Sequence, residues 1–381
     1  MEQESPRERE AVNARVATDG SPRQSAESTS ETTVADDRGG AALGPHAVQI
    51  LDAESAHVST REQRKYAKAR IFVPEGFDDE GVDKSSGTGP EKLASVVIVP
   101  GFACGENVMS AWAFFWASHG FLVTTISALR PFHDMPRRRA DAALDCVDAL
   151  KAEGTRVDSA LFGRLDDRFA VAGWSLGGGG CHLAAVDDPS LKCILEFAPH
   201  SGLGLCFARL EPHDVPTLAI AGQCDVIAWP WVQRRFYDAA RGPKLHLEVR
   251  GGDHAIAAGP AGGNCFQIAF AYGACALCTF GFGVCCGDYS PCGVLDRPAG
   301  TARPDSRRGA IGAIALRWLD AYLRGEAKGA TRRAGLAKLR RPGIASVWQR
   351  ENLDSTLVTE QPKGVAGDEQ PTPEARAEDA G

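Results

Sequence analysis

Ser175 stands where a serine hydroxyl can act as a nucleophile. It lies in Gly173-Trp174-Ser175-Leu176-Gly177, directly after the apolar run 169–172 and before a helix-compatible segment. Glycine-x-serine-x-glycine at a strand-to-helix turn is a nucleophile elbow. Such a turn is too sharp for side chains at the flanking positions, hence the glycines. It holds the hydroxyl out of the sheet beside a helix N-terminus, where a developing anion is favoured. A serine hydroxyl also needs a general base, and the base needs an acid to orient it. Nine histidines are available, of which His46, His57, His119 and His133 precede the serine. His182 falls on the helix after it with its side chain expected to point away, His213 precedes a proline-containing loop, and His246 lies inside a strand-like run. His254, in Gly251-Gly252-Asp253-His254, follows the run 245–249 on a loop at a strand's C-terminal end, where open α/β sheets meet their ligands. It is the predicted base. Asp225 ends the run 217–222, 50 residues after the serine and 29 before His254, and is the predicted acid. Its role is to accept the imidazole Nδ1 hydrogen and hold the tautomer that deprotonates Ser175. Two backbone N–H groups must meet the oxyanion. Leu176 supplies one, and Phe102, in the loop Pro100-Gly101-Phe102-Ala103, the other. This set performs acyl transfer through a covalent serine intermediate and calls for no metal and no organic cofactor.

The elements that must position these residues alternate. Short apolar or β-branched runs occur at 96–99, 121–127, 169–172, 193–197, 217–221 and 245–249, with helical periodicity between them. Residues 137–150 place Ala140, Ala143, Leu144, Val147 and Leu150 on one face. Further helices are expected at 111–118, 231–240 and 309–323. Continuously apolar strands separated by helices indicate a mostly parallel sheet covered on both faces, an α/β domain over residues 44–325.

The 381 residues carry 42 Lys+Arg against 49 Asp+Glu, a net charge of −7 that argues against nucleic acid as a partner. The first 40 residues hold nine acids and five arginines without apolar periodicity, so 1–43 is expected to be a disordered acidic tail. Residues 326–381, basic and then acidic, are expected to be a largely disordered extension. Between residues 303 and 341 eleven basic residues face three acids, which suits a solvated helix face or a contact with an anionic surface. No apolar h-region follows the initiator, so this numbering shows no secretory signal and a cytoplasmic chain is the alternative to an exported one.

On these motifs the chain resembles the α/β-hydrolase superfamily, and within it the bacterial cutinase and polyester (PET) hydrolase group, related to dienelactone hydrolases. The resemblance is carried by Val97-Ile98-Val99-Pro100-Gly101-Phe102, Ala117-Ser118-His119-Gly120-Phe121, the elbow continued through Gly178-Gly179-Gly180, Asp225-Val226-Ile227-Ala228 and Gly251-Gly252-Asp253-His254. It implies an α/β-hydrolase fold, the roles given above for Ser175, Asp225, His254, Phe102 and Leu176, and a cleft lined by Phe102 and Ile227, beside which Trp174 and His200 are further candidate substrate contacts. The implied partner is an apolar ester or polyester, with no integral membrane span and a monomeric state. The rivals are a dienelactone hydrolase- or lipase-like esterase without polymer activity and a catalytically silent binding protein. The sequence departs from the group at Ala198-Pro199-His200, where the group carries a cleft tryptophan, and in about 50 residues inserted between His254 and the last helix.

That insertion, about 258–308, is rich in cysteine and glycine. Six of the chain's 12 cysteines lie between Cys265 and Cys292, within and just beyond a stretch, residues 255–287, that has no charged side chain. Disulfides stapling the insertion, reduced buried thiols and a thiolate zinc site all suit the pattern; disulfides imply export, as the resemblance does. Starting a few residues after His254, the insertion is expected to form an apolar lid.

Overall fold

Seven consecutive residues without a polar face make one of the inner strands. A computed structural model describes residues 42–52, 64–75, 92–202, 210–223, 225, 227–249, 254, 256, 307–325, 333, 336 and 344–350. In it β3, Leu93–Val99, is buried along its whole length. Neighbouring side chains along β3 point to opposite faces. Val96 and Ile98 join one core with Trp112, Trp116 and Trp318, while Val97 and Val99 join another with Ala140, Val147 and Ala184.

The described strands form one sheet in the order β1-β2-β4-β3-β5-β6-β7-β8-β9. Its edge begins with the antiparallel pair β1, Val48–Asp52, and β2, Tyr66–Pro74, and β2 lies antiparallel to β4, Leu122–Ala128. From β4 through β3, β5 (Leu165–Trp174), β6 (Cys193–Phe197), β7 (Thr217–Gly222) and β8 (Lys244–Val249) every pairing is parallel. The helices α1 (Ser110–Ser118) and α5 (Arg307–Leu323) contribute to the first core, and α2 (Pro136–Thr155) and α3 (Leu176–Asp187) to the second. The remaining helix, α4 (Pro230–Ala239), packs on β7 and β8. This is the mostly parallel α/β domain expected from the alternation, with the α/β-hydrolase fold that the resemblance implies. All six expected strand runs and all four expected helices appear, with ends moved by a few residues.

The edges differ from expectation. β1 and β2 were absent from the apolar pattern, because β2 carries Lys68 and Arg70 among its exposed and half-buried positions. Beyond residue 325, where a largely disordered extension was expected, β9 (Ile344–Arg350) pairs antiparallel with β8. In the same stretch Leu336 is buried in the core and Arg333 donates to the Ala321 carbonyl at 3.1 Å. Cys104, Cys146, Cys181 and Cys193 are free and buried, and desolvation pushes the Cys104 thiol up to about 12, so it carries no thiolate at neutral pH. Cys265 to Cys292, the lid and most of the insertion lie outside the described residues, as do residues 1–41 and 351–381. Among the described residues no helix is long and apolar enough to cross a membrane.

β8 also carries a buried imidazole with an energetic consequence. His246 is 3% exposed beside the Tyr237 ring, and neither ring nitrogen has a hydrogen-bond partner among the described residues. Desolvation lowers its pKa from 6.5 to about 4; Arg234 of α4 reinforces this and Asp238 opposes it. The unfolded chain therefore binds a proton at this residue between about pH 6.5 and pH 4 that the folded chain does not. Stability is full above that window and falls through it on acidification, by as much as about 3 kcal/mol. His246→Leu should flatten that slope, read as a smaller difference in urea midpoint between about pH 7.5 and about pH 5. An unchanged difference would count against it.

Candidate active site

Ser175 occupies the turn between β5 and α3 with φ 57° and ψ −119°, a backbone region costly for any residue with a Cβ. Three hydrogen bonds hold it there. Its N–H donates to the Phe197 carbonyl at 2.9 Å, and its own carbonyl accepts from Gly179 N–H at 3.0 Å and His200 N–H at 2.9 Å. The flanking glycines are required by space. A Cβ on Gly173 would lie 2.4 Å from the Gly177 carbonyl oxygen, and one on Gly177 would lie 2.3 Å from the Val99 carbonyl oxygen. The elbow is thus wedged between β3 and β6.

Asp225 lies just beyond β7 and is 2% exposed. One carboxylate oxygen, Oδ1, accepts the N–H groups of Ile227 and Ala228, each at 2.9 Å. The other, Oδ2, accepts Nδ1–H of His254 at 2.8 Å and Nε2–H of Gln233 at 3.0 Å. A carboxylate can only accept, so His254 carries its hydrogen on Nδ1 and leaves Nε2 with a lone pair. The His254 carbonyl accepts the Trp174 indole N–H at 2.8 Å, with the two rings 5.3 Å apart. Ser175 and His254 are each 6% exposed. Ser175, Asp225 and His254 all follow the C-terminal ends of parallel strands, β5, β7 and β8, and so share one edge of the sheet.

The loop after β3 reaches the same edge. A Cβ on Gly101 would lie 3.2 Å from the Ser175 Cβ, which places Pro100-Gly101-Phe102 against Ser175. Leu176 is the first residue of α3, so its N–H is among the helix's unpaired N-terminal donors. Phe102 is 45% exposed with its ring edge-on to Phe132, while Ile227 is half-buried. His200 is half-buried beside His254, and burial together with that neighbour lowers its pKa. Trp174, a candidate substrate contact, is 5% exposed and its N–H is committed to His254, so it orients the imidazole from behind.

Two residues that sequence pattern did not single out complete the arrangement. Gln233 fixes Asp225 from α4. Arg139, wholly buried at the start of α2, donates Nε–H to the Asp134 carbonyl at 3.0 Å, one terminal nitrogen to the Pro100 carbonyl at 2.9 Å and the other to the Pro131 carbonyl at 3.1 Å. The Pro131 carbonyl also accepts Ala103 N–H at 3.0 Å. Burial lowers the guanidinium to about 10, so it stays charged at neutral pH. One cation thereby braces both ends of the loop that carries Phe102. Arg139→Met should strand these carbonyls, lower kcat on a soluble ester about tenfold or more at nearly constant KM, and reduce stability by about 2–4 kcal/mol. A melt shifted without a change in kcat would limit Arg139 to a structural role.

The sheet and its elbow define an α/β-hydrolase. Residues 43–270 match the family described as PETase, PET hydrolase-like, and the chain belongs to that family. Similar proteins include cutinase 2 of Thermobifida cellulosilytica, 33% identical over 54% of this chain and 74% of that protein. Lipase 1 of Moraxella sp. (strain TA144) is 33% identical over 42% of this chain and 48% of its own length. Bis(hydroxyethyl) terephthalate hydrolase of Streptomyces coelicolor is 30% identical over 40% of this chain and 46% of its own. The chain thus spans about half the length of the lipase and of the terephthalate hydrolase.

Proposed function

We propose that the chain is a serine carboxylic-ester hydrolase of cutinase or polyesterase type, acting through an acyl-serine intermediate. The observation that carries this is the buried Asp225–His254 pair, 2.8 Å apart, on the sheet edge where the strained elbow presents Ser175. Ser175 Oγ attacks the ester carbonyl and His254 Nε2 takes its proton. The Leu176 and Phe102 amides meet the oxyanion, and His254 returns the proton to the leaving alcohol. Water then repeats the cycle on the acyl-enzyme.

An apolar or polymeric ester suits the rim. Phe102, Leu129, Phe132, Trp229 and Trp231 are all more than 40% exposed, and they follow β3, β4 and β7 on the Ser175 edge. Together they offer a row of apolar side chains on which a chain too long for an enclosed pocket can lie. The names and family of the relatives support the same substrate class. Hydrolysis of p-nitrophenyl esters of graded chain length, run beside a polyester film, tests the reading. Soluble-ester turnover with release of acid from the film is expected. Turnover of the soluble esters alone would leave a small-molecule esterase, and neither activity together with no labelling by a fluorophosphonate would leave a binding protein.

A further inference from the structure

Behind the elbow, away from the Asp225–His254 pair, three ionisable side chains meet in the core. His182 on α3 and Glu196 on β6 are each 0% exposed, and His213, just before β7, is 4% exposed. One donor atom of each lies within 4.8 Å of the other two. The tautomer of His182 is set by its surroundings. Its Nε2 lies 2.8 Å from the Glu211 carbonyl, which only accepts, so Nε2 carries a hydrogen and, in the neutral ring, Nδ1 carries a lone pair. That lone pair faces Glu196 Oε1 at 3.3 Å and His213 Nε2 at 3.3 Å. Apart from His182 Nδ1, neither Glu196 oxygen has a hydrogen-bond partner among the described residues. A carboxyl group and two imidazoles therefore converge in a dry site, and a cation between them would satisfy all three.

We infer that His182 Nδ1, His213 Nε2 and Glu196 bind a divalent transition-metal ion, zinc by preference. Two imidazole nitrogens and a carboxylate are a zinc donor set, and bonds of about 2.0–2.1 Å at tetrahedral angles place neighbouring donor atoms ~3.3 Å apart. Two of the three separations already have that value. The Glu211 carbonyl holding the far nitrogen of His182 is the outer-shell contact that fixes a ligand's tautomer, and the Phe236 ring, edge-on to His182 at 5.4 Å, supplies an apolar wall. The fourth tetrahedral position falls to a water or a further protein atom. Substrate has no path to a site this buried, so the metal's role is to tie α3, the helix that Ser175 starts, to β6 and the segment before β7. The spacings of 14 and 17 residues between the ligands match no linear metal motif. The inference stands whether or not the ester-hydrolase reading does.

The experiment uses the full chain purified from zinc-supplemented medium, with its cysteines alkylated so that thiolates do not contribute. Metal content by mass spectrometry should be about one zinc per chain. Cobalt(II) reconstitution should give the visible bands of a tetrahedral nitrogen–oxygen site without near-ultraviolet thiolate charge transfer. Glu196→Gln and His213→Asn should each lower metal content at least tenfold, and saturating zinc should raise the wild-type melting temperature by roughly 5 °C. Alkylated wild-type protein without stoichiometric zinc would overturn the inference and leave a proton shared within the cluster. So would cobalt spectra of thiolate type, or full zinc in both variants. Because the wild-type content and spectrum suffice, a variant that fails to fold does not decide the matter. Ester turnover with zinc bound and removed, measured alongside, reads the hydrolase assignment separately.

Discussion

Ser175→Ala should abolish measurable ester hydrolysis while leaving the melting temperature within a few degrees of wild type. Loss of the nucleophile alone costs as much as loss of the whole catalytic set, on the order of 10⁶ in kcat where it has been dissected, because the members act as a unit. What remains comes from the oxyanion donors and substrate binding. The fold should tolerate the change, since the bonds holding this residue, to Phe197, Gly179 and His200, are all made by its backbone. Ser175→Gly carries the prediction further. At φ 57° and ψ −119° a Cβ is strained, and glycine relieves it. That variant should be equally inactive yet more stable than wild type by about 1 kcal/mol, a sign that the strain is kept for function. Esterase assays, fluorophosphonate labelling and thermal melts on both variants check this. A variant keeping more than about a tenth of the wild-type rate would remove Ser175 from the mechanism.

The elbow was legible because its constraints are local. Gly173 and Gly177 sit two residues from Ser175, and the atoms that forbid a Cβ there belong to the same turn or to the neighbouring strand. The parallel strands were legible for a related reason: burial on both faces leaves an unbroken apolar run, and β6 lies at the residues its run gave. Asp225 and His254 were found through their order along the chain and their places just past strand ends. What failed to show was whatever depends on a partner distant in sequence. Arg139 precedes an apolar helix face and reads as a solvated charge, yet its three acceptors bury it, the farthest 39 residues away. Gln233 is one more polar residue on an amphipathic helix until Asp225 packs against it. His182, Glu196 and His213 come from a helix, a strand and a loop, and only the sheet order brings them together. The strands near that edge stayed hidden because charged residues interrupt the apolar run, as Lys68 and Arg70 do in β2.

Asp225→Asn should lower kcat about 10⁴-fold without unfolding the protein, and the hydrogen bonds show why. Oδ1 is held by two backbone N–H groups that can only donate, so the asparagine carbonyl must take that position. The amide nitrogen is then forced into the Oδ2 position, 2.8 Å from His254 Nδ1 and 3.0 Å from Gln233 Nε2. It donates where a carboxylate accepted. His254 can meet it only by offering the Nδ1 lone pair, which moves the imidazole hydrogen to Nε2 and removes the lone pair that should accept the serine proton. Gln233 meets the same conflict, and a turn of its amide that offers Oε1, unpartnered among the described residues, gives up the bond from its Nε2–H to the Ala228 carbonyl. The stability cost is accordingly moderate, about 1–3 kcal/mol. The rate loss should appear in kcat with KM little changed, and labelling of Ser175 by a fluorophosphonate should slow in proportion, since both need the same base. An asparagine variant within tenfold of wild type would show that Asp225 does not set the tautomer of His254. A variant that loses the rate through unfolding would show it in the melt, and Gln233→Met, which removes one donor and leaves the charge and both backbone bonds, then isolates the effect as a smaller loss of kcat in a folded protein.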